Sequence, residues 1–274
     1  MTQLRTYPHG VTSWIDTEQP DIEAASRFYR ELFGWELTNA APPEAEPYLI
    51  ATRDGKDAAA IARASGDTAT WNTYVAVDDA DAIAAAVATG GGTVVAAPAD
   101  AGPAGRAASC LDPFGAPFRL WQAGRRAGAQ LTNSPGTWNF SDLHTPDTAA
   151  ALAFYTPLFG WRTMDLDGTA TMLQVPGYGD HLAATVDPDI YERQAFAPAG
   201  FADVIGGLVG IAAGEPARWH VTFSVADRDD TAAAAERLGA AILSSTVDPW
   251  SRNAVVRDPQ GAEFTISQFA PTEG

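Results

Sequence analysis

The sequence predicts an α+β protein made of four tandem βαβββ modules, two in each half of the chain. Two observations lead to this prediction. The first is an internal repeat: residues 28–35, FYRELFGW, recur as residues 154–161, FYTPLFGW. The second is an alternation of strand-like and helix-like segments that restarts within each half. The repeat is considered first, because missing an internal repeat leads to the wrong fold for the whole chain.

Two further landmarks extend the repeat to the full chain. WNTYVAV at 71–77 recurs as WHVTFSV at 219–225, and DPFGA at 112–116 recurs as DPQGA at 258–262. The spacing between landmarks is wider in the second half, which predicts an insertion near 187–217. The sequence therefore divides into a first domain at 1–125, a polar, glycine-containing linker at 126–136, and a second domain at 137–274.

The first module begins with a strand at 11–16 and continues into a helix. Asp21 is placed to cap that helix, whose apolar residues from Ile22 to Leu32 recur at helical spacing. Gly34 is placed to end it as the left-handed residue that follows a helix. Short strands are predicted at 48–52 and 58–62.

The second module repeats this order with a strand at 73–77 and a helix at 80–89 that ends at three glycines. Strands near 93–97, 106–111 and 116–122 complete it. The DPxGA segment suits a tight turn between the last two strands, because proline fixes φ and glycine tolerates positive φ.

Composition excludes several classes of protein. The 274 residues carry a formal charge of −17, which disfavours nucleic acid and anionic lipid as partners. Cys110 is the single cysteine, so a disulfide within the chain and a multi-cysteine zinc site are excluded. No apolar run is long enough to span a membrane, and the N-terminus lacks the pattern of a signal peptide. We expect a cytoplasmic protein with no membrane partner.

The FYxxLFGW and DPxGA motifs within βαβββ units resemble the vicinal oxygen chelate superfamily of glyoxalases, bleomycin resistance proteins and extradiol dioxygenases. The layout is similar to tandem two-domain glyoxalase-like proteins of actinobacteria. This resemblance implies two open, curled mixed β-sheets with helices on the convex side and a small-molecule cleft on the concave side. It also implies either a monomer that mimics the family's usual dimer or a homodimer.

Strand alternation then sorts the side chains into a core face and a cleft face. In the first half the predicted ligand-binding residues on the cleft face are Trp14, Asp16, Asn72, Tyr74, Arg119 and Trp121. In the second half they are Phe140, Thr222, Glu263 and Thr265, together with Asp142 and His220, which are predicted to be catalytic. The alternative interpretation is an ordinary solvated sheet face, with Arg119 paired to Asp16.

The resemblance also implies four strand positions at which enzymes of the family hold a divalent ion through His, Gln or Glu. In the first half these positions fall on Trp14, Ala60–Ala62, Asn72 and Arg119. In the second half they fall on Phe140, Ala184–Thr185, His220 and Thr265. Only His220 is a usual ligand, and a metal site generally needs three. We therefore predict no cofactor, with a divalent metal ion held by Asp142, His220 and Glu263 as the alternative.

Three functions remain open at this point. The first is a metal-independent binder of a small aromatic or oxygenated metabolite. The second is an enzyme of secondary metabolism or detoxification, a lyase, isomerase or hydroxylase-like protein, in which His220 acts with Asp142 as acid and base, because an imidazole titrates near neutral pH. The third is a metal-dependent glyoxalase or dioxygenase. The sequence leaves open whether the protein is an enzyme.

Overall fold

The computed structural model describes residues 4–166, 168 and 170–271, and within them the chain forms sixteen strands and six α-helices. The first half contains eight strands and two helices. They are β1 Thr12–Gln19, α1 Ile22–Phe33, β2 Glu36–Asn39, β3 Tyr48–Arg53, β4 Lys56–Arg63, β5 Thr70–Ala76, α2 Ala80–Thr89, β6 Thr93–Asp100, β7 Gly105–Leu111 and β8 Pro117–Ala123.

The second half repeats this order and adds two helices. Its elements are β9 Thr137–Thr145, α3 Thr148–Phe159, β10 Arg162–Asp165, β11 Thr171–Gln174, α4 Tyr178–Thr185, α5 Ile190–Arg193, β12 Val204–Gly210, β13 Arg218–Ser224, α6 Arg228–Arg237, β14 Ala241–Val247, β15 Ser251–Arg257 and β16 Glu263–Phe269. The predicted α+β fold of four βαβββ modules is confirmed.

The strands form two open mixed sheets of eight strands each. Their orders are β2-β3-β4-β1-β5-β8-β7-β6 and β10-β11-β12-β9-β13-β16-β15-β14. The strand order is the same in both sheets when each strand of the second half is matched with its counterpart in the first half. In both sheets the first strand of a module pairs in parallel with its last strand, as β1 does with β4 and β13 with β16, while hairpin neighbours pair antiparallel.

Helix α4 and helix α5 lie between β11 and β12, where the first half has only a tight turn between β3 and β4. The insertion predicted near 187–217 covers α5 and also β12, which occupies the place of β4 in its module. Ala184 and Thr185, which the sequence placed on a strand, lie at the end of α4. The two extra helices lengthen this part of the second half. Counting residues from the first half therefore does not locate the equivalent strand position.

Helix ends follow the sequence signals. Asp21 caps α1 by accepting hydrogen bonds from the amides of Glu23 and Ala24, and Gly34 ends the helix with φ of 69°. In the second half Asp147 and Gly160 cap α3 in the same manner, with Gly160 at φ of 70°. An aspartate at the N-terminus satisfies amides that have no partner within the helix. No helix in the described ranges is long and apolar enough to cross a membrane.

The chain divides into two compact units, and each unit takes segments from both halves. Among the described residues, unit 1 comprises those up to Ser13, then those within 73–128 and 141–219. Unit 2 comprises the described residues within 14–72, 129–140 and from His220 onward. The first module and the fourth therefore contribute to unit 2, and the second and third to unit 1.

Each unit contains an aromatic core built from repeated motifs. In unit 1, Tyr155 stacks on Trp161 with ring centroids 4.8 Å apart and meets Phe118 edge to face at 5.5 Å. In unit 2, Tyr29 stacks on Trp35 at 5.6 Å, and Phe33 packs on Phe223 at 4.6 Å. Trp161 and Trp35, which match each other in the repeat, are thus structural, because buried aromatic pairs contribute beyond the area that they bury.

The DPxGA turns are tied to these cores by their aspartates. Asp112 accepts hydrogen bonds from the amides of its own turn and from the Tyr155 hydroxyl at 3.2 Å. Asp258 does the same in unit 2, where the Tyr29 hydroxyl donates at 2.8 Å. The turn glycine has φ of 88° in the first half, the left-handed region that favours glycine. The two repeated motifs therefore meet in space.

Candidate functional site

The candidate residues lie on sheet faces that point away from the aromatic cores. In unit 1, Val75, Phe118 and Leu120 are buried in the core that includes α2. In unit 2, Phe223 and Phe264 are fully buried against Phe33 of α1. Because neighbouring residues of a strand alternate between faces, the polar residues between these core positions share the opposite face. We call it the polar face in each unit.

In unit 2, Asp16 is the centre of a hydrogen-bonded cluster on the polar face of β1 and β5. Its Oδ1 accepts from the Asn72 amide at 2.8 Å, and its Oδ2 accepts from the Tyr48 hydroxyl at 3.0 Å. The Trp14 indole N–H donates to the Tyr48 oxygen at 2.9 Å. Asp16 is fully buried, and two direct donors compensate for part of the cost of taking a carboxylate out of water.

In unit 1, Arg119 of β8 meets Tyr74 of β5, its register partner. The guanidinium donates to the Tyr74 hydroxyl at 2.8 Å, and its central carbon lies 5.4 Å from the centroid of the Tyr74 ring. Trp121 contacts the same ring edge to face at 6.4 Å. The result is a cluster of one cation and two aromatic rings, in which Arg119 and Trp121 are half-buried.

Trp121 is itself fixed in place. Its indole N–H donates to the backbone oxygen of Arg126 at 2.9 Å. A Cβ on Gly105 would lie 2.7 Å from the indole ring, so only glycine permits this approach. The orientation of the ring is therefore set by the backbone around it, and a preorganised aromatic surface loses less entropy when it binds a ligand.

In unit 2, His220 of β13 is hydrogen-bonded to Thr265 of β16. The distance from His220 Nε2 to Thr265 Oγ1 is 2.8 Å, and His220 is 7% exposed. Thr222, on the same face, is the register partner of Thr265. The sequence placed His220 and Thr265 at two of the four family ligand positions, and the structure brings these two side chains into contact.

Glu263 and Phe140 complete the predicted residues of unit 2. Glu263 forms an ion pair with its register partner Arg257, whose guanidinium lies 2.7 Å from the carboxylate. An exposed ion pair of this kind contributes little to stability. The partner of the Glu263 carboxylate in this pair is the Arg257 guanidinium. Phe140 is half-buried on β9. Both remain predictions as ligand-binding residues.

Asp142 lies in unit 1 on β9 and approaches the backbone of β12. Its Oδ1 accepts a hydrogen bond from the Gly207 amide at 2.6 Å. A Cβ at residue 207 would fall 2.6 Å from the same oxygen, so glycine is needed for the approach. Burial raises the pKa of Asp142 to about 6, although the Gly207 hydrogen bond acts in the opposite direction. A carboxyl group with this pKa can take up and release a proton near neutral pH.

The described residues do not fit a divalent ion. Among them, no three His, Cys, Asp or Glu side chains are grouped so that they could hold one. At the family ligand positions of the first half, the Asn72 amide donates to Asp16, and Arg119 is a cation. At those of the second half, His220 is hydrogen-bonded to the hydroxyl of Thr265, where the resemblance implies a carboxylate. These donor sets do not supply the three ligands that a metal site generally needs.

Two residues of these clusters were missed by the sequence analysis. Tyr48 was predicted only as the start of a strand, yet it links Trp14 to Asp16. Gly207 fell in the predicted insertion, yet it holds Asp142. The adjacent glycines at 206 and 207, within an apolar segment of strand length, were an available signal of close backbone approach.

Comparison with known proteins identifies both halves. A family described as the glyoxalase/bleomycin resistance protein/dioxygenase superfamily matches residues 18–120, and the glyoxalase-like domain family matches residues 140–267. The suspected glyoxylase CFP32 of Mycobacterium tuberculosis is 36% identical over 100% of both chains. The anthracycline biosynthesis protein DnrV of Streptomyces peucetius is 32% identical over 97% of this chain and 96% of its own. The predicted likeness to tandem actinobacterial proteins is confirmed.

Solved structures share the fold at low identity. The Mn(II)-bound glyoxalase of Novosphingobium aromaticivorans is 16% identical, with a TM-score of 0.61 over 98% of this chain and 83% of its own. The 2,2',3-trihydroxybiphenyl 1,2-dioxygenase of Sphingomonas wittichii is 15% identical, with a TM-score of 0.60 over 97% of this chain and 93% of its own. From the two matched families and the full-length relatives, this chain belongs to the glyoxalase/bleomycin resistance protein/dioxygenase superfamily, with two such domains in tandem.

Proposed function

We propose that this protein binds a small aromatic or oxygenated metabolite on its polar sheet faces without the help of a resident divalent ion. The observation that carries the proposal is the Arg119 cluster, in which a guanidinium and two aromatic rings share one face of unit 1. Ligand sites typically combine aromatic walls with a few placed polar groups. The guanidinium suits a phenolate or carbonyl oxygen, and Trp121 suits the ring that carries it.

The chemistry of the relatives is in line with this proposal. DnrV is named for anthracycline biosynthesis and matches the chain over nearly its full length. The dioxygenase with the same fold is named for a trihydroxybiphenyl, which is an oxygenated aromatic compound. A metabolite of this class would offer both the ring and the oxygen that the Arg119 cluster can contact.

The test is a binding titration of the purified chain with catechol and related hydroxylated aromatics after treatment with a chelator. We expect Arg119→Ala to weaken binding about tenfold to a hundredfold, since a hydrogen bond to a charged group contributes on the order of 1.5–3 kcal/mol. Arg125→Ala, at an exposed arginine nearby in sequence, is the matched control and should leave affinity unchanged. Equal affinity of wild type and Arg119→Ala would refute the role of the cluster.

Metal content separates this proposal from a metal-dependent glyoxalase or dioxygenase. Elemental analysis before and after incubation with Mn, Ni, Zn and ferrous iron measures it directly, with His220→Ala as control. One tightly held ion per chain, lost in the variant, would contradict the metal-independent proposal and support the metal-dependent function.

A second candidate function is an enzyme that uses Asp142 of unit 1 or His220 of unit 2 as acid or base. The observation that favours it is the pKa of Asp142, which burial raises to about 6. Perturbed carboxyl groups of this kind occur at functional sites, and also in structural networks. Turnover of a bound metabolite that falls at least tenfold in Asp142→Asn or in His220→Ala, with binding retained, would establish the enzyme and identify its acid or base. Binding without turnover in the wild type would contradict it.

A further inference from the structure

The polar face of β13, β16 and β15 in unit 2 continues beyond His220 toward an exposed aromatic residue. Every second residue of β16 lies on the polar face, which includes Thr265, Ser267 and Phe269. His220 contacts this face through its hydrogen bond to Thr265. Phe269 lies about 13 Å from Thr265 at about 3.3 Å per residue. It is 61% exposed.

Across the hairpin, β15 adds a polar strip to the same face. Asn253 and Ser251 are the register partners of Ser267 and Phe269. Asp248 orders this strip, because its carboxylate accepts from the Ser251 hydroxyl at 2.8 Å and from the Asn253 amide at 2.9 Å. These hydrogen bonds order a polar strip that runs beside Ser267 and Phe269.

The end of the strip carries more apolar surface than the repeat requires. The backbone oxygen of Trp250 accepts a hydrogen bond from the amide of Ala270, so its backbone lies next to the end of β16, and Trp250 is 46% exposed. In the first half the position equivalent to Phe269 is Ala123. The framework of the repeat thus folds without an aromatic residue there, and large exposed apolar side chains grouped at one place mark binding sites.

We infer that this face is an elongated subsite for a planar compound of several fused rings, with an oxygen-bearing ring at His220 and a distal ring on Phe269. The inference rests on the proposed function and specifies its ligand as polycyclic. The histidine and threonine exchange hydrogen bonds with a hydroxyl or carbonyl of the first ring. Phe269 adds a stacking surface that a single-ring compound is too short to reach.

The experiment compares catechol with alizarin, a dihydroxyanthraquinone that carries the same vicinal oxygens on three fused rings. Both are titrated into the full-length chain by fluorescence. We expect alizarin to bind at least tenfold more tightly than catechol, and Phe269→Ala to weaken alizarin about tenfold while leaving catechol unchanged. His220→Ala should weaken alizarin, whereas the catechol binding that depends on Arg119 should remain. Val95→Ala, at an exposed apolar residue of β6 in unit 1, is the control and should change neither.

The outcomes distinguish the inference from the proposed function beneath it. If neither compound binds the wild type, the proposed function fails. If both bind but Phe269→Ala leaves alizarin unchanged, the elongated subsite is wrong and the proposed function stands. A Phe269→Ala variant that alters the sedimentation of the ligand-free chain without altering alizarin affinity would show that the exposed ring serves self-association, and this result also overturns the inference.

Discussion

Asp16 and Asp142 hold equivalent positions in the first strands of the two halves, but different groups hold their carboxylates. Asp16 accepts from the side chains of Asn72 and Tyr48, whereas Asp142 accepts from the backbone amide of Gly207. The difference lies in the neighbouring strand of each aspartate. On β4, Ala60 is the register partner of Asp16, whereas on β12 the residue beside Asp142 is Gly207. A Cβ at residue 207 would lie 2.6 Å from the Asp142 carboxylate, so a residue with a Cβ, such as the alanine at 60, does not permit the same approach.

The same contrast runs through the other polar positions. Asn72 is matched by His220, and Arg119 is matched by Thr265, so the two halves present different chemistry on the same strands. The core positions do not diverge in this way, since each unit has a stacked tyrosine and tryptophan and a tyrosine bound to a turn aspartate. The repeat thus preserves packing while the polar faces vary.

The largest expected effect tests whether the framework is equivalent in the two units. Trp161 and Trp35 are both nearly fully buried, and each indole donates to a glycine carbonyl, at 2.7 Å and 2.9 Å. We expect Trp161→Ala and Trp35→Ala each to lower the free energy of unfolding by about 3–5 kcal/mol, through a large cavity and a lost hydrogen bond. Urea denaturation followed by circular dichroism measures both.

Trp250→Ala is the control for this pair, because that side chain is about half exposed and should cost less than about 1 kcal/mol. A loss at Trp161 several times larger than that at Trp35 would break the comparison, since it would show that the two units do not contribute equally to stability.

A second test sharpens the contrast between the two aspartates through pH. The pKa of Asp142 is about 6, above the value of about 3.9 for an unfolded chain, so the folded state binds more protons between these pH values. The contribution of Asp142 to stability is therefore fully present below about pH 4 and is lost as pH rises to about 6, by at most about 3 kcal/mol. Asp142→Asn should remove this loss and stabilise the protein at pH 7.

Asp16→Asn should have the opposite effect. Both oxygens of Asp16 accept hydrogen bonds from donors, and an amide would turn its NH₂ toward one of them, at a cost of about 1–3 kcal/mol at pH 7. Thermal unfolding of both variants from pH 4 to pH 8 measures the two effects. If Asp142→Asn proved destabilising throughout this range, the raised pKa of Asp142 would be contradicted.

Local signals in the sequence predicted the helix ends and the turns, the repeat predicted the modules, and the resemblance to a known family predicted the two open sheets. The capping aspartates, the glycines that follow helices and the DPxGA turns each depend on a few adjacent residues. Strand alternation also sorted the faces correctly, because a period of two separates Phe264 and Ile266 from Thr265. These features do not depend on which distant segments pack together.

The long-range contacts were beyond sequence reasoning. Nothing near Asp112 in the chain indicates that its partner is Tyr155 of the following module, and nothing near Asp16 indicates Tyr48. Gly207 was hidden for a different reason, since the two extra helices moved β12 away from the position that counting from the first half gave. Side-chain partners across modules depend on the tertiary fold, and the candidate site consists mainly of such partners.

The smallest expected effect separates two turns that look alike. Asp258 accepts from the Tyr29 hydroxyl and also from the Gln19 amide at 2.7 Å, on the same carboxylate oxygen. In unit 1 the residue equivalent to Gln19 is Thr145, whose buried hydroxyl has no partner among the described residues. Tyr155→Phe therefore removes a hydrogen-bond donor from Asp112, and no glutamine is present to replace it. We expect this variant to lower the free energy of unfolding by about 1–2 kcal/mol, and Tyr29→Phe to lower it by about 1 kcal/mol or less. Urea midpoints of the two variants measure the difference, and a larger loss for Tyr29→Phe would mean that the shorter Tyr29 hydrogen bond outweighs the second donor.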